Sequence, residues 1–267
     1  MSEEQERVAN PVQRDGDITI ISGPCSVESR DQMMQVAAAC AEFGIRVLRG
    51  GAYKPRTSPY SFQGMEEEGL HLLREAADAH GLLCVTEVVD SAHVEIVDAY
   101  ADILQIGTRN MANFSLLKKI GAITAESQKP VLFKRGMAAT IEEWLAASEY
   151  ITMQGNPNVI LCERGIRTFE TSTRFTLDIT AVPVVKKLSR LPIVIDASHP
   201  VGQADLVPAV CRAAVAVGAD GIMVEVHPNP REALCDGPQS LDLEGLRNLM
   251  VELKPVAEAI GKRLASL

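Results

Sequence analysis

Aromatic residues make up only 4% of the 267-residue chain, too few to build a stacking platform for single-stranded nucleic acid. Basic residues are in deficit too: 26 Lys plus Arg stand against 35 Asp plus Glu, for a net charge of −9. That balance argues against a sequence-independent grip on nucleic acid or on an anionic membrane surface. No apolar run approaches the roughly 20 residues of a membrane span. The N-terminal stretch MSEEQERVANPVQRDGD lacks the hydrophobic core of a signal peptide. The six cysteines, Cys25, Cys40, Cys84, Cys162, Cys211 and Cys235, form no CxxC pair. With 46% apolar residues the chain has a core to build and no need of a disulfide scaffold. The expectation is a reduced, cytoplasmic protein with no nucleic-acid or membrane partner.

Short apolar, β-branched runs recur at steady spacing. They are Ile18–Ser22, Ile45–Leu48, Leu82–Val85, Ile103–Ile106, Val131–Phe133, Val159–Leu161, Ile193–Ile195 and Gly221–Val224. Near-continuous runs of this length suit parallel strands buried on both faces. Amphipathic helical patterns fall between them: Asp31–Glu42, Glu66–His80, Ala92–Tyr100, Phe114–Ile120, Ile141–Met153, Leu177–Leu188, Ala204–Val217 and Leu243–Ala265. Ser29 and Thr140 are N-cap types. The alternation predicts an α/β fold, a single (β/α)8 TIM barrel over 18–267 behind an N-terminal arm, 1–17. An open doubly wound sheet is the second choice.

A barrel of this kind places its chemistry at the C-terminal ends of its strands. The residues that follow the runs include seven cations: Arg49, Lys54, Arg56, Arg109, Lys134, Arg135 and Arg164. Gathering them on an acidic protein costs self-repulsion that a bound phosphate or carboxylate would offset. A second set, Cys25, His199, Glu225 and Asp236, joins a thiol, an imidazole and two carboxylates. Such donors suit a borderline divalent ion such as Mn, Fe, Co or Zn. Cys40, Cys84, Cys162 and Cys211 fall in strands or on apolar helix faces and read as core. His227, at the last strand end, is a further candidate.

These rim residues carry a resemblance. GPCSVES (23–29), RGGAYKPRTSPYSFQG (49–64), QIGTRNMANFSLLK (105–118), KPVLFKRGMAATIEEWL (129–145), GNPNVILCERGIRTFE (155–170), DASHP (196–200) and EVHPNP with CDGPQSL (225–241) occur in order. The sequence resembles the 3-deoxy-D-arabino-heptulosonate-7-phosphate (DAHP) synthases, in the metal-dependent branch that also holds the 3-deoxy-octulosonate-8-phosphate synthases. The resemblance implies a (β/α)8 barrel that condenses phosphoenolpyruvate with an aldose phosphate and releases inorganic phosphate. It implies one divalent metal on Cys25, His199, Glu225 and Asp236. It places phosphoenolpyruvate on Arg49, Lys54, Arg109, Lys134 and Arg164. Lys54, Pro55, Arg56, Thr57 and Ser58 would meet the aldose phosphate.

The KPRTS string fits erythrose 4-phosphate, since the octulosonate branch carries an Asn-Arg-Ser-Ser version for arabinose 5-phosphate. Cys25 separates the chain from metal-independent relatives in the octulosonate branch, which carry Asn there. An octulosonate synthase and a non-catalytic sugar-phosphate-binding barrel remain the alternatives. On this reading Lys54 donates a proton, with its pKa lowered by surrounding cations. Glu163 positions the attacking water. Asp196 orients His199 or binds a sugar hydroxyl. The resemblance also suggests a homotetramer or homodimer. The extra regulatory domains of relatives find no counterpart in this sequence, so weak feedback inhibition by aromatic amino acids is expected, with a regulatory partner in trans left open. Cys25 and Cys235 would oxidise to a disulfide when metal leaves. Four positions depart from the family pattern: Thr171 and Ala197 replace prolines, Phe175 an Asn, and Gln203 a Lys or Arg. Gln203 and Phe175 bear on phosphate affinity or subunit contacts.

Overall fold

The computed structural model describes residues 10–266 apart from Arg56, Thr57 and Pro59. Eight parallel strands close in sequence order: β1 Thr19–Gly23, β2 Val47–Arg49, β3 Leu83–Val88, β4 Ile103–Ile106, β5 Val131–Lys134, β6 Val159–Glu163, β7 Ile193–Asp196 and β8 Gly221–Glu225. The ring shuts where β1 pairs with β8, from Thr19 opposite Gly221 to Gly23 opposite Glu225. The predicted barrel is the fold.

The helices that pack outside are α1 Arg30–Glu42, α2 Glu66–Ala79, α3 Val94–Tyr100, α4 Phe114–Ser127, α5 Ile141–Thr152, α6 Ala181–Leu188, α7 Val207–Ala216 and α8 Leu243–Ala259, with a one-turn helix, Ser198–Val201, after β7. Their starts have local causes. The Ser29 side chain accepts from Gln32 N at 3.1 Å. Thr140 and Glu143 form a reciprocal capping box, which satisfies two otherwise orphaned N–H groups. The expected helix over 204–217 begins instead with a 3-10 turn, Ala204–Leu206. The last helix stops at Ala259, ahead of Gly261 at φ +74°.

The apolar residues divide into two layers by strand parity. Ile21, Val47, Val85, Ile103, Leu132, Ile160, Val194 and Met223, one from each strand, meet inside the barrel. Val12 joins them, fully buried, so the described part of the N-terminal arm packs on the barrel floor. Thr19 Oγ1 donates to Pro11 O at 2.6 Å, and Arg14 donates to Ser189 O and Lys186 O, holding the arm down. The opposite strand face packs on the helices. Trp144 on α5 is wholly buried there, its indole N–H 3.3 Å from Phe133 O.

Two residues further along every strand, the inward position changes character. It is Gly23, Arg49, Glu87, Gln105, Lys134, Cys162, Asp196 and Glu225 in turn. Seven of the strands therefore run beyond the apolar segments read from sequence, because the ladder continues after its inward side chains turn polar. The site stands on strand ends, with loop residues added to them.

Candidate active site

Cys25 is delivered by a tight exit from β1. Gly23 has φ +151°, and a Cβ there would lie 2.0 Å from Arg49 O, so only glycine fits. Asp236 comes from the β8–α8 loop in a left-handed conformation, φ +53°, which Asp tolerates better than most residues. His199 lies in the turn after β7 and Glu225 ends β8.

One donor atom from each of Cys25, His199, Glu225 and Asp236 lies within 4.8 Å of the others. His199 Nε2 is 3.5 Å from Glu225 Oε1 and 3.8 Å from Asp236 Oδ2. Cys25 Sγ is 3.3 Å from Asp236 Oδ2. Each donor has an outer partner. His199 Nδ1 lies 2.7 Å from Asp196 Oδ2, in a contact bent away from a linear hydrogen bond. Glu225 accepts from Arg49 Nη1 at 2.5 Å and Gln239 Nε2 at 2.6 Å. Arg174 Nη1 reaches Asp236 Oδ1 at 3.3 Å, and Lys54 Nζ reaches Cys25 Sγ at 3.2 Å. A converged thiol, imidazole and carboxylate pair with oriented outer partners fits a single divalent ion.

The charge states agree with that use. Burial lowers His199, against the pull of Asp196 and Glu225, so it stays a neutral imidazole. Burial would raise Glu225, but His199 and Arg49 bring it down to about 2. The neighbouring Cys235 thiol, burial and Glu225 hold Cys25 well above the ordinary cysteine range, so metal binding must release its proton. Asp196→Asn is expected to weaken metal affinity about 10- to 100-fold, measured by competition with a chromophoric chelator. An unchanged affinity would remove Asp196 from the site.

Beside the cluster opens a cavity of about 280 Å³. His199 and Asp236 share its wall with five cations, Lys54, Arg109, Lys134, Arg164 and Arg174. Pro55, Ser58, Glu87, Thr108 and Phe175 also line it. Lys134 Nζ is held by Asp196 Oδ2 at 2.6 Å. Arg164 is 4% exposed, and its Nε and Nη1 have no hydrogen-bond partner among the described residues. Burial, reinforced by Arg174, pushes its pKa down, so the site carries an electrostatic cost that an anion would relieve.

Several expected residues sit elsewhere. Glu163 ends β6 with the parity of Val159 and Leu161, facing the helices. It accepts from Arg135 Nη1 at 2.9 Å and Gly165 N at 2.7 Å, and does not line the cavity, so it cannot position a water there. Arg135 turns outward with it, bonding Asp178 Oδ2 at 2.8 Å. Asp196 is fully buried and off the cavity wall, placed to hold Lys134 and His199 and not a sugar. Arg49 donates Nη1 to Glu225 Oε1 and is not among the residues that line the cavity. Lys54 is not lowered in pKa: burial acts in that direction, but Cys25, Cys235 and Glu87 outweigh it and raise it. Arg56 and Thr57 lie outside the described residues. His227 is engaged with Glu28 Oε2 at 3.3 Å, away from the cavity. Gln203 donates to Ser172 O at 3.2 Å and does not line the cavity either. Sequence reasoning missed Arg174, whose signal was only a third arginine, after Arg164 and Arg167, on the long β6–α6 loop.

Cys25 Sγ and Cys235 Sγ are 3.1 Å apart. Peroxide treatment of chelated protein is expected to join them, two thiols giving up two protons and two electrons to peroxide. Peptide mapping that finds no cross-link between them would refute this.

Residues 6–261 match the DAHP synthetase I family. A phospho-2-dehydro-3-deoxyheptonate aldolase of Thermotoga maritima is 57% identical over 249 residues, covering 93% of this chain and 72% of the relative. A 2-dehydro-3-deoxyphosphooctonate aldolase of Rhodopseudomonas palustris is 33% identical over 264 residues, covering 92% of this chain and 90% of the relative. A crystal structure of the Thermotoga maritima aldolase (DAHP synthase) superposes with a TM-score of 0.90 at 56% identity, covering 94% of this chain and 72% of that one. A truncated form of 3-deoxy-D-arabino-heptulosonate 7-phosphate synthase from the same organism gives 0.86 at 52% identity, covering 94% and 90%. With the barrel closed, the donor cluster converged and the family matched along nearly the whole chain, this protein belongs to the DAHP synthetase I family.

Proposed function

We propose that this chain is a metal-dependent DAHP synthase. It condenses phosphoenolpyruvate with erythrose 4-phosphate to give DAHP and inorganic phosphate, the first step of the shikimate pathway. One observation carries the reading: a four-donor metal cluster opens onto a cavity whose five cations include a buried arginine with unpaired N–H groups.

In this scheme Arg164, Lys134 and Arg109 hold the carboxylate and phosphate of phosphoenolpyruvate. Fixing the enol against the aldehyde removes much of the entropic barrier to carbon–carbon bond formation. A divalent ion on Cys25, His199, Glu225 and Asp236, of the manganese, iron, cobalt or zinc type, would polarise the aldehyde oxygen as a Lewis acid. Lys54 Nζ, bonded to Cys25 O at 2.9 Å, stays an ammonium. It donates its proton to the oxygen that becomes negative as C3 of the enol attacks the aldehyde carbon. Water adds at C2, and the bond from C2 to the phosphate oxygen then breaks. The cation cage stabilises the charge on departing phosphate. Pro55 and Ser58 line the same cavity and start the aldose subsite. A cysteine ligand that must stay reduced fits a reducing compartment such as the cytoplasm.

The test is phosphoenolpyruvate consumption with erythrose 4-phosphate or arabinose 5-phosphate, each with added Mn and with chelator. Turnover only with erythrose 4-phosphate, lost with chelator and restored by metal, is expected. Turnover with arabinose 5-phosphate instead would make this an octulosonate synthase. No turnover by metal-loaded protein would favour a binding barrel.

A further inference from the structure

The β6–α6 loop brings two guanidinium groups to one aromatic ring. Arg164 Cζ lies 4.0 Å from the ring centroid of Phe175, and Arg174 Cζ lies 5.9 Å from it. The ring's seat is fixed by hydrogen bonds to the backbone N–H and C=O of Phe175 itself. Phe175 N donates to Pro200 O at 2.8 Å, and Thr173 Oγ1 donates to Phe175 O at 3.0 Å. Thr176 and Ile166 exchange bonds of 2.8 and 2.9 Å. Gly165, at φ +89°, makes room: a Cβ there would come within 2.8 Å of Phe175 Cβ.

The two arginines differ in what they have left to bind. Arg174 Nη1 is committed to Asp236 Oδ1 and to Gln239 Oε1 at 2.9 Å. Arg164 Nε and Nη1 are buried and unpartnered among the described residues, in the wall of the cavity. Stacking holds the plane of a guanidinium and sheds water from its face, and it uses none of the in-plane N–H groups. A short amide or carboxylate side chain at 175, with its polar atoms at the guanidinium, would compete for those groups, whereas a tyrosine keeps the ring face there and carries its hydroxyl at the far end. An aliphatic one would pack without the ring's electrostatic attraction.

We propose that Phe175 is a positioning residue for the anionic substrate. Its ring fixes Arg164 so that the unpaired N–H groups serve a carboxylate or phosphate, and keeps Arg174 for the Asp236 loop. The identification of that anion as phosphoenolpyruvate rests on the function proposed above.

The experiment compares Phe175→Leu and Phe175→Tyr, alone and with Arg164→Met. Phe175→Leu is expected to raise KM for phosphoenolpyruvate about three- to thirtyfold, with a much smaller change in kcat. It should weaken inorganic phosphate binding, read by calorimetry without turnover, by a similar factor. Phe175→Tyr restores the wild-type KM. In the Arg164→Met background, Phe175→Leu adds nothing, because the partner it orients is gone. The proposal is overturned if Phe175→Leu leaves both KM and phosphate affinity unchanged, or if its effect persists undiminished without Arg164. If the wild type consumes no phosphoenolpyruvate, the functional reading falls, and the phosphate titrations alone decide the role of Phe175.

Discussion

Arg164→Met is expected to lower kcat/KM for phosphoenolpyruvate by about 10²- to 10³-fold while making the ligand-free protein more stable. The first effect follows from losing one side of a buried, charge-assisted pair, which costs about 2–5 kcal/mol. The second follows from the resting state. Arg164 is 4% exposed with two unpartnered nitrogens, and an unmade bond at a buried polar group costs about 1–3 kcal/mol. Methionine fills similar space, still packs against Phe175 and carries no such penalty. A rise in Tm of a few degrees is expected alongside the catalytic loss. Steady-state kinetics and a thermal melt on the same preparation check both. A variant that lost activity and also melted lower would show Arg164 to be structural.

The other large effect concerns His199. Wild-type protein stripped by chelator is expected to lose turnover and regain it on adding Mn, whereas His199→Ala should stay inactive with metal supplied. The imidazole is one of only four donors in the cluster. It also links that cluster to the buried Asp196–Lys134 pair, through a contact of 2.7 Å to Asp196. Its removal should exceed the roughly 10- to 100-fold loss typical of an outer partner. Metal content after dialysis gives the independent readout. His199→Ala protein that retained a full equivalent of metal would place the ion elsewhere.

The barrel was legible because its strands are buried on both faces and so appear as unbroken apolar runs. The same property hid the parity of the residues that end them. In Lys134-Arg135 and Glu163-Arg164, one member of each pair enters the barrel and the other faces the helices. A half-exposed strand would have shown by alternation which is which, but Val159–Leu161 gives no such cue. Sequence position alone therefore puts Arg135 and Glu163 in the site, whereas they satisfy each other behind it. Cys25, His199 and Glu225 are legible as candidate donors from their position just after or at the ends of the strands, and the convergence of the cluster follows from closure of the ring. Arg174 was not, because the backbone bonds between Ile166 and Thr176 that set its loop join residues with no patterned signal. The Lys54 shift runs opposite to the sequence expectation because adjacent cations show in sequence, whereas Cys25 and Cys235 come near it only in the fold.

Trp144 is the one tryptophan of the chain. It is wholly sealed from solvent between α5 and β5, with the Arg135 guanidinium 6.0 Å from its ring. The protein therefore carries a single-site intrinsic fluorophore in its outer layer. Its emission reports one event, the docking of α5 on the barrel wall, with no second indole to blur the spectrum. The side chain neighbouring Arg135 in sequence, Lys134, faces the opposite way into the cavity. A red shift during unfolding thus times the parting of helix from strand at the segment that carries one of the cavity's cations.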